Sequence, residues 1–229
     1  MSGYFTPASF KFLRALARHN ERAWFVAHKA DYQRHVRDPF LRLIADLTEP
    51  LTRISRHYVA DPRPVGGSLF RIHRDTRFAR DKRPYKEWAG ARFFHRRVRE
   101  VDGDAPSFYL HLQPGDCFVG GGLWHPQPAA LKRVRAYLVN NPASWKQATR
   151  SPAFRRAYTL GGTALVRPPQ GFAPQHELIA DLKRKDFVCT APLDDAALCR
   201  ADLLRTIARR FQRVAPLIDW LCGALDLEF

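Results

Sequence analysis

LFRIHRDTRFARDKRPYKEWAGARFFH, residues Leu69–His95, packs eight Lys/Arg and three Asp/Glu among aromatics at the centre of the chain. Leu69–Phe78 alternates as a strand. At a period of two, Arg71, His73, Asp75 and Arg77 fall on one face, and Phe70, Ile72, Arg74 and Thr76 fall on the other. Neither face is purely apolar, so charges on both faces imply either paired ions inside or a site open to an anion. The stretch turns at Asp81-Lys82-Arg83-Pro84, where Pro84 fixes its own φ and pushes Arg83 toward extended backbone. A stiff cationic loop is predicted there, with Ala89–His95 returning as the partner strand.

Upstream, Thr6-Pro7 forms an N-cap and first-turn pair for a helix whose stripe is Phe10, Leu13, Leu16 and Ala17. A second helical stretch holds Trp24, Phe25 and Tyr32, and Asp38-Pro39 opens a third that carries Phe40, Leu43, Ile44, Leu47 and Leu51. Downstream, Ser107–Gln113 alternates as a strand, with Tyr109, His111 and Gln113 on one face. After the turn at Pro114-Gly115-Asp116, Cys117–Trp124 is the next strand. Within it, Gly120-Gly121-Gly122 requires a bulge or the close approach of another backbone or a ligand. Helices are predicted over Pro126–Leu138 and Ala143–Thr149, from Ser151-Pro152, and over Glu177–Leu182. A short strand is predicted near Gly161–Val166, another at Asp186–Thr190, and a long helical stretch at Asp194–Leu225 that kinks or breaks at Pro216. The assembly this predicts is α+β: one antiparallel sheet of about five or six strands packed with helices from both ends of the chain. It forms one domain over 1-229, helical at 5-57, sheet-forming at 68-124, and helical and mixed at 126-229.

RIHRDTRFARDKRPYK resembles the signature of the bacterial and fungal family catalogued as domain of unknown function 2461. The matching positions are Arg71, Arg74, Asp75, Arg77, Phe78, Asp81, Lys82, Pro84, Tyr85 and Lys86. Further similar positions are Trp24-Phe25, Tyr109, Pro114-Gly115, Gly120-Gly121-Gly122, Pro126, Leu131, Arg135, Arg167, Pro169, Gly171, His176, Lys185 and Phe187. Val166 and Gln170 depart from the pattern, standing where Lys is common. The family carries no assigned chemistry, so function has to be read from the residues.

Hydrophobic residues at 45% and aromatics at 12% suffice for a real core. The apolar runs fall far short of a membrane span, and MSGYFTPASF has neither the basic nor the apolar region of a secretory signal. Cys117, Cys189, Cys199 and Cys222 are widely spaced with no CxxC pair, which suits reduced, buried thiols. A cytoplasmic protein is expected. The net charge is +16, of which residues 69–95 hold +5 and residues 117–176, free of Asp and Glu, hold +8. That concentration predicts one basic surface facing an anionic partner, and the alternative is an Arg-rich composition that merely solvates helix faces.

The candidate anion contacts are Arg71, Arg74, Arg77, Lys82 and Lys86, with Arg135 and Arg167 added from the wider resemblance. Arginines supply planar forks and lysines point charges. Asp75 and Asp81 orient those cations or serve as a base; alternatively they only satisfy the arginines in an ion-pair lattice, with Asp75 buried against Arg74 or Arg77. Tyr109 and His111, joined by Asp75 and His73, are the acid–base cluster that the pattern offers. No HxH, HExxH or CxxC spacing, Walker loop or nucleophile elbow is present, so neither a metal nor a cofactor is expected. Tyr85, Trp88, Trp124 and Trp145 either stack nucleobases beside the cations or belong to the core. Three readings follow. The first is binding of a phosphate-bearing partner, a nucleic acid or a nucleotide. The second is an enzyme on a small phosphorylated or carboxylated substrate using an Arg/Asp/Tyr/His cluster. The third is a scaffold for an acidic protein.

Overall fold

Helix α1 (Pro7–Arg18) begins as the sequence dictates: Thr6 N–H donates to Ser9 Oγ at 3.2 Å and Pro7 opens the first turn. This computed structural model describes residues 3–98, 100 and 103–229. Helices α2 (Arg22–Ala27) and α3 (Lys29–Tyr32) follow. The helix expected to begin at Asp38 does so, but not from a break in the chain. A π-helical turn at Gln33–Arg37 carries the chain without interruption from α3 into α4 (Asp38–Asp46). Asp38 N–H reaches back five residues to Gln33 O, and the wider turn accommodates Pro39, which has no N–H to give and a ring that crowds an α-helical carbonyl. Helix α5 (Thr48–Ile54) completes the N-terminal group.

Six strands form one antiparallel sheet. They are β1 (Tyr58–Val59), β2 (Ala89–His95), β3 (Ser107–Leu112), β4 (Cys117–Leu123), β5 (Thr159–Gly161) and β6 (Phe187–Leu193). Their spatial order is β1-β2-β3-β4-β6-β5. Between β4 and β5 lie helices α6 (Pro128–Asn140), α7 (Pro142–Arg150) and α8 (Pro152–Ala157). Helix α9 (Ile179–Leu182) precedes β6, and α10 (Asp195–Leu198) and α11 (Leu203–Ala224) follow it. The α+β architecture with helices drawn from both ends of the chain is as the sequence predicted. One hydrophobic core draws on residues from Phe5 to Leu227. Among the described residues, no helix is long and apolar enough to cross a membrane.

One face of the sheet packs on α11. Phe211 meets Phe93 of β2 and Phe108 of β3 at ring distances of 5.2 and 5.0 Å. Gly121 sits under the same helix, where a Cβ would stand 3.0 Å from Ile218 Cδ1, so its lack of a side chain lets α11 close on β4. The other face carries Arg92, Phe94, Tyr109, Phe118, Val188 and Thr190, all half-buried, and is the open face. Gly120 and Gly122 lie on it, yet a Cβ on either would collide with β6 backbone, at 2.5 Å from Cys189 O and 2.0 Å from Phe187 O. The glycine run therefore answers a close approach of neighbouring backbone.

Two further expectations are corrected. Of the kink or break expected at Pro216, the break is absent: α11 runs through it from Leu203 to Ala224. Val214, Ala215, Leu217 and Ile218 around it are buried while Pro216 itself is exposed, so packing holds the helix and the carbonyl left without a donor faces water. Leu69–Phe78 is not a strand. It is an irregular arm that meets β2 and the segment before it through the bridges Leu69↔Ala91 and His73↔Tyr85. All four cysteines are free; Cys117, Cys189 and Cys222 are buried, and burial pushes Cys117 and Cys222 up to about 12.

Candidate functional site

The arm and the segment that returns from it form a hairpin on the edge of β2. Phe70 N–H donates to Gly90 O, Lys86 N–H to Ile72 O and Arg74 N–H to Pro84 O, at 2.8 to 2.9 Å, leaving Asp75–Arg83 as the loop. Tyr85 anchors the base. Its ring stacks on Phe25 at 4.1 Å, its N–H donates to Asn20 Oδ1 and its carbonyl accepts from Asn20 Nδ2, both at 3.0 Å.

Within the loop, one local device recurs. Asp75 Oδ1 accepts from Arg77 N–H at 3.2 Å and from Arg77 Nε at 3.0 Å, while Arg77 Nη2 donates to Asp75 Oδ2 at 2.7 Å. Asp81 holds Arg83 in the same way, with the backbone bond at 3.1 Å and Nη2 at 2.7 Å, and takes Arg74 Nη1 as well at 2.6 Å. Asp61 and Arg63 repeat it outside the loop. In each case an Asp caps the turn of the residue two further on and forks its guanidinium, so Asp-x-Arg is a self-pairing unit. The neighbouring guanidiniums, Arg83 then Arg74, hold Asp81 far below the usual carboxylate range; Arg77 lowers Asp75. Asp75 is exposed, which corrects the expectation that it is buried against arginine: its partner is sequence-local and needs no interior.

The cations then divide. Arg74, Arg77 and Arg83 are paired, and Arg83 also bonds Glu87. Among the described residues, Arg71, Arg80, Lys82 and Lys86 have no acidic partner. Lys82 Nζ donates to Thr76 O at 3.0 Å and braces the loop. Lys86 Nζ donates to Arg71 O at 2.7 Å and lies 5.5 Å from the Phe70 ring and 5.2 Å from the Trp88 ring. Burial, and then the charge of Arg71, lower its pKa from the ordinary lysine value.

A cleft of about 420 Å³ opens beneath the hairpin, lined by Arg74, Asp75, Asp81, Arg83, Tyr85, Lys86, Glu87, Trp88 and Gln113. Three cations there face three carboxylates. Gln113 ends a chain of hydrogen bonds on the open face: Tyr109 Oη to His111 Nδ1 at 3.0 Å, and His111 Nε2 to Gln113 Oε1 at 3.2 Å. Burial lowers the pKa of His111 and raises that of Tyr109. Burial, rather than these two bonds, disfavours the charged form of His111, since both partner oxygens can accept. His73 does not join this group; it contacts Phe25 and Tyr85 instead. Around the chain, Phe118 stacks on His111 at 4.7 Å, Trp88 lies 5.0 Å from it, and Phe70 lies 6.1 Å from Tyr109. Gly90 makes room for this layer, since a Cβ there would stand 2.4 Å from Tyr109 Oη.

Arg135 and Arg167 are not part of this assembly. The pairings Ala89↔Leu112, His111↔Phe118 and Cys117↔Leu193 define the end of the sheet beside the hairpin, and Phe94↔Ser107↔Gly122↔Val188 define the other. Arg135 donates to Leu182 O at 2.8 Å and Arg184 O at 3.1 Å on the approach to β6, a structural clasp. Arg167 is exposed in the loop that runs beside the same approach. Helices α6 and α8 pack on α11, on the covered side of the sheet. The two basic segments therefore do not merge into one patch, because β4 carries the chain the length of the sheet away from the hairpin before the second begins. Sequence reasoning missed the self-pairing of Asp-x-Arg, whose spacing was visible, and the pairing of Asp186 with His125, whose sequence separation hid it.

Neither a curated protein nor a solved structure gave a match to the chain. Residues 8–220 match the family described as "Conserved hypothetical protein (DUF2461)", and the hairpin carries the positions on which the resemblance first rested. The chain belongs to the DUF2461 family.

Proposed function

We propose that the protein binds single-stranded nucleic acid across the open face of its sheet, with the unpaired cations of the hairpin meeting the phosphates. The observation that supports this is adjacency. Phe70, Trp88, Tyr109 and Phe118 form an aromatic layer at one end of the open face, and Arg71, Arg80, Lys82 and Lys86 belong to the hairpin that borders it. Bases stack on aromatic side chains with little regard to sequence, and only unpaired bases can reach them, while cations beside the rings collect the backbone. Pairing of Arg74, Arg77 and Arg83 with Asp75, Asp81 and Glu87 leaves those four cations as the hairpin's net positive charge toward a ligand.

Fluorescence anisotropy with a labelled single-stranded oligonucleotide tests the reading. Binding at low salt should weaken linearly in log–log form as salt rises. Trp88→Ala should weaken it by about 1–3 kcal/mol through lost stacking. The cleft is also of a size that takes a nucleotide, which keeps a small phosphorylated ligand as the second reading. Absence of oligonucleotide binding at low salt, together with a nucleoside monophosphate raising the melting temperature, would favour that reading over the first.

A further inference from the structure

The far end of the open face carries a pair of side chains that the hairpin does not use. Trp124 follows β4 in the same alternation that puts Phe118, Gly120 and Gly122 on the open face, and it is 61% exposed. His125 stands beside it, ring to ring at 4.3 Å, with its backbone at φ 50°, a conformation that non-glycine residues seldom take. Its side chain is 63% exposed. Behind it lies Asp186, which has no solvent exposure and accepts from His125 N–H at 2.9 Å, from Thr163 N–H at 2.9 Å and from Thr163 Oγ1 at 2.7 Å. The same carboxylate lies 3.2 Å from His125 Nδ1. The buried carboxylate therefore holds the His125 backbone and lies beside the ring.

We infer that Trp124 and His125 form a second contact point for the same strand, the indole stacking a base and the exposed imidazole hydrogen-bonding beside it; this rests on the nucleic-acid reading above. Two features of this end of the face support it. The aromatic ends of the open face are separated along β4 by Gly120 and Gly122, which leave a floor without side chains between Phe118 and Trp124. That floor is about 20 Å long at the rise of a strand. The exposed imidazole stands beside the indole with its backbone held by Asp186, so the two rings are presented together. Asp186 is the charged group in contact with the ring. Thr163 from the loop after β5 is uncharged, and Asp104, two residues along, is occupied in accepting Gln127 N–H at 2.9 Å.

The test measures oligonucleotide affinity for wild type, Trp124→Ala and His125→Asn; asparagine tolerates the positive φ and removes the imidazole. Trp124→Ala should weaken binding about tenfold. His125→Asn should weaken binding as well, by a smaller factor, through the lost hydrogen bond. If wild type binds and both variants match it, this inference is overturned while the function stands. If wild type does not bind, both fall. Should either variant fail to fold, the His125 imidazole resonances of wild type decide: a shift on titration with the oligonucleotide supports the contact, and an unmoved signal refutes it.

Discussion

Asp81 and Asp186 are both carboxylates held below their ordinary pKa, and they are held in opposite ways. Asp81 sits in the hairpin loop with 38% of its side chain exposed, and its partners Arg83 and Arg74 are two and seven residues away. Asp186 has no exposure, and its donors at Thr163 and His125 come from 23 and 61 residues away. Burial alone would raise Asp186, but the bonds from Thr163 and His125 outweigh it. The hairpin settles its charges locally, in water. The far end uses a carboxylate as a tertiary rivet. A charge satisfied within its own turn can be altered without unfolding the protein, whereas one that ties distant segments cannot.

That contrast can be broken at four places. Gly122→Ala should be the most damaging change, because it combines φ 131° with a Cβ placed 2.0 Å from Phe187 O; a loss of about 4 kcal/mol or more in urea unfolding is expected. A near-wild-type midpoint would mean that β4 and β6 have room to part. Asp186→Ala should cost about 3 kcal/mol by removing a fully buried carboxylate and leaving the part-buried donors of Thr163 and His125 without it. The wild-type pH profile carries the same signature. Since the folded pKa of Asp186 is depressed, its contribution is fully present above the unfolded carboxylate value, about 3.9, and is lost as pH falls through the lower folded value. Acid titration followed by circular dichroism should therefore show loss of stability below about pH 4, and Asp186→Asn should flatten that limb.

Smaller effects belong to the hairpin. Replacing both Lys82 and Lys86 by Ala should leave the fold intact, weaken oligonucleotide binding uniformly across sequences, and reduce the salt slope by roughly one to two units. A sequence-dependent loss would contradict a phosphate role. Asp75→Ala should give no measurable change in melting temperature, because its partner is an exposed arginine two residues on. A large drop would show that the hairpin is held by ions after all, and would erase the contrast with Asp186.

The periodicities of the sequence determined most of the elements. Ala89–His95 and the strands beginning at Ser107 and Cys117 were legible because alternation reports one buried face, and α1 was legible from Thr6-Pro7. The concentration of cations in the hairpin, and the turn at its tip, were likewise written in residue order. Alternation misled at Leu69–Phe78, where the pattern suits a strand but bonding to the returning segment is intermittent. The π-turn before Pro39 and the passage of α11 through Pro216 also lay beyond sequence, since each depends on packing that overrides local preference. Tertiary structure alone decided that the two basic segments part to opposite ends of the sheet and that the glycine run serves the neighbouring strand. It also decided that Asp186 meets His125. Those are contacts between residues far apart in the chain, set by how the strands align, and no local pattern encodes them.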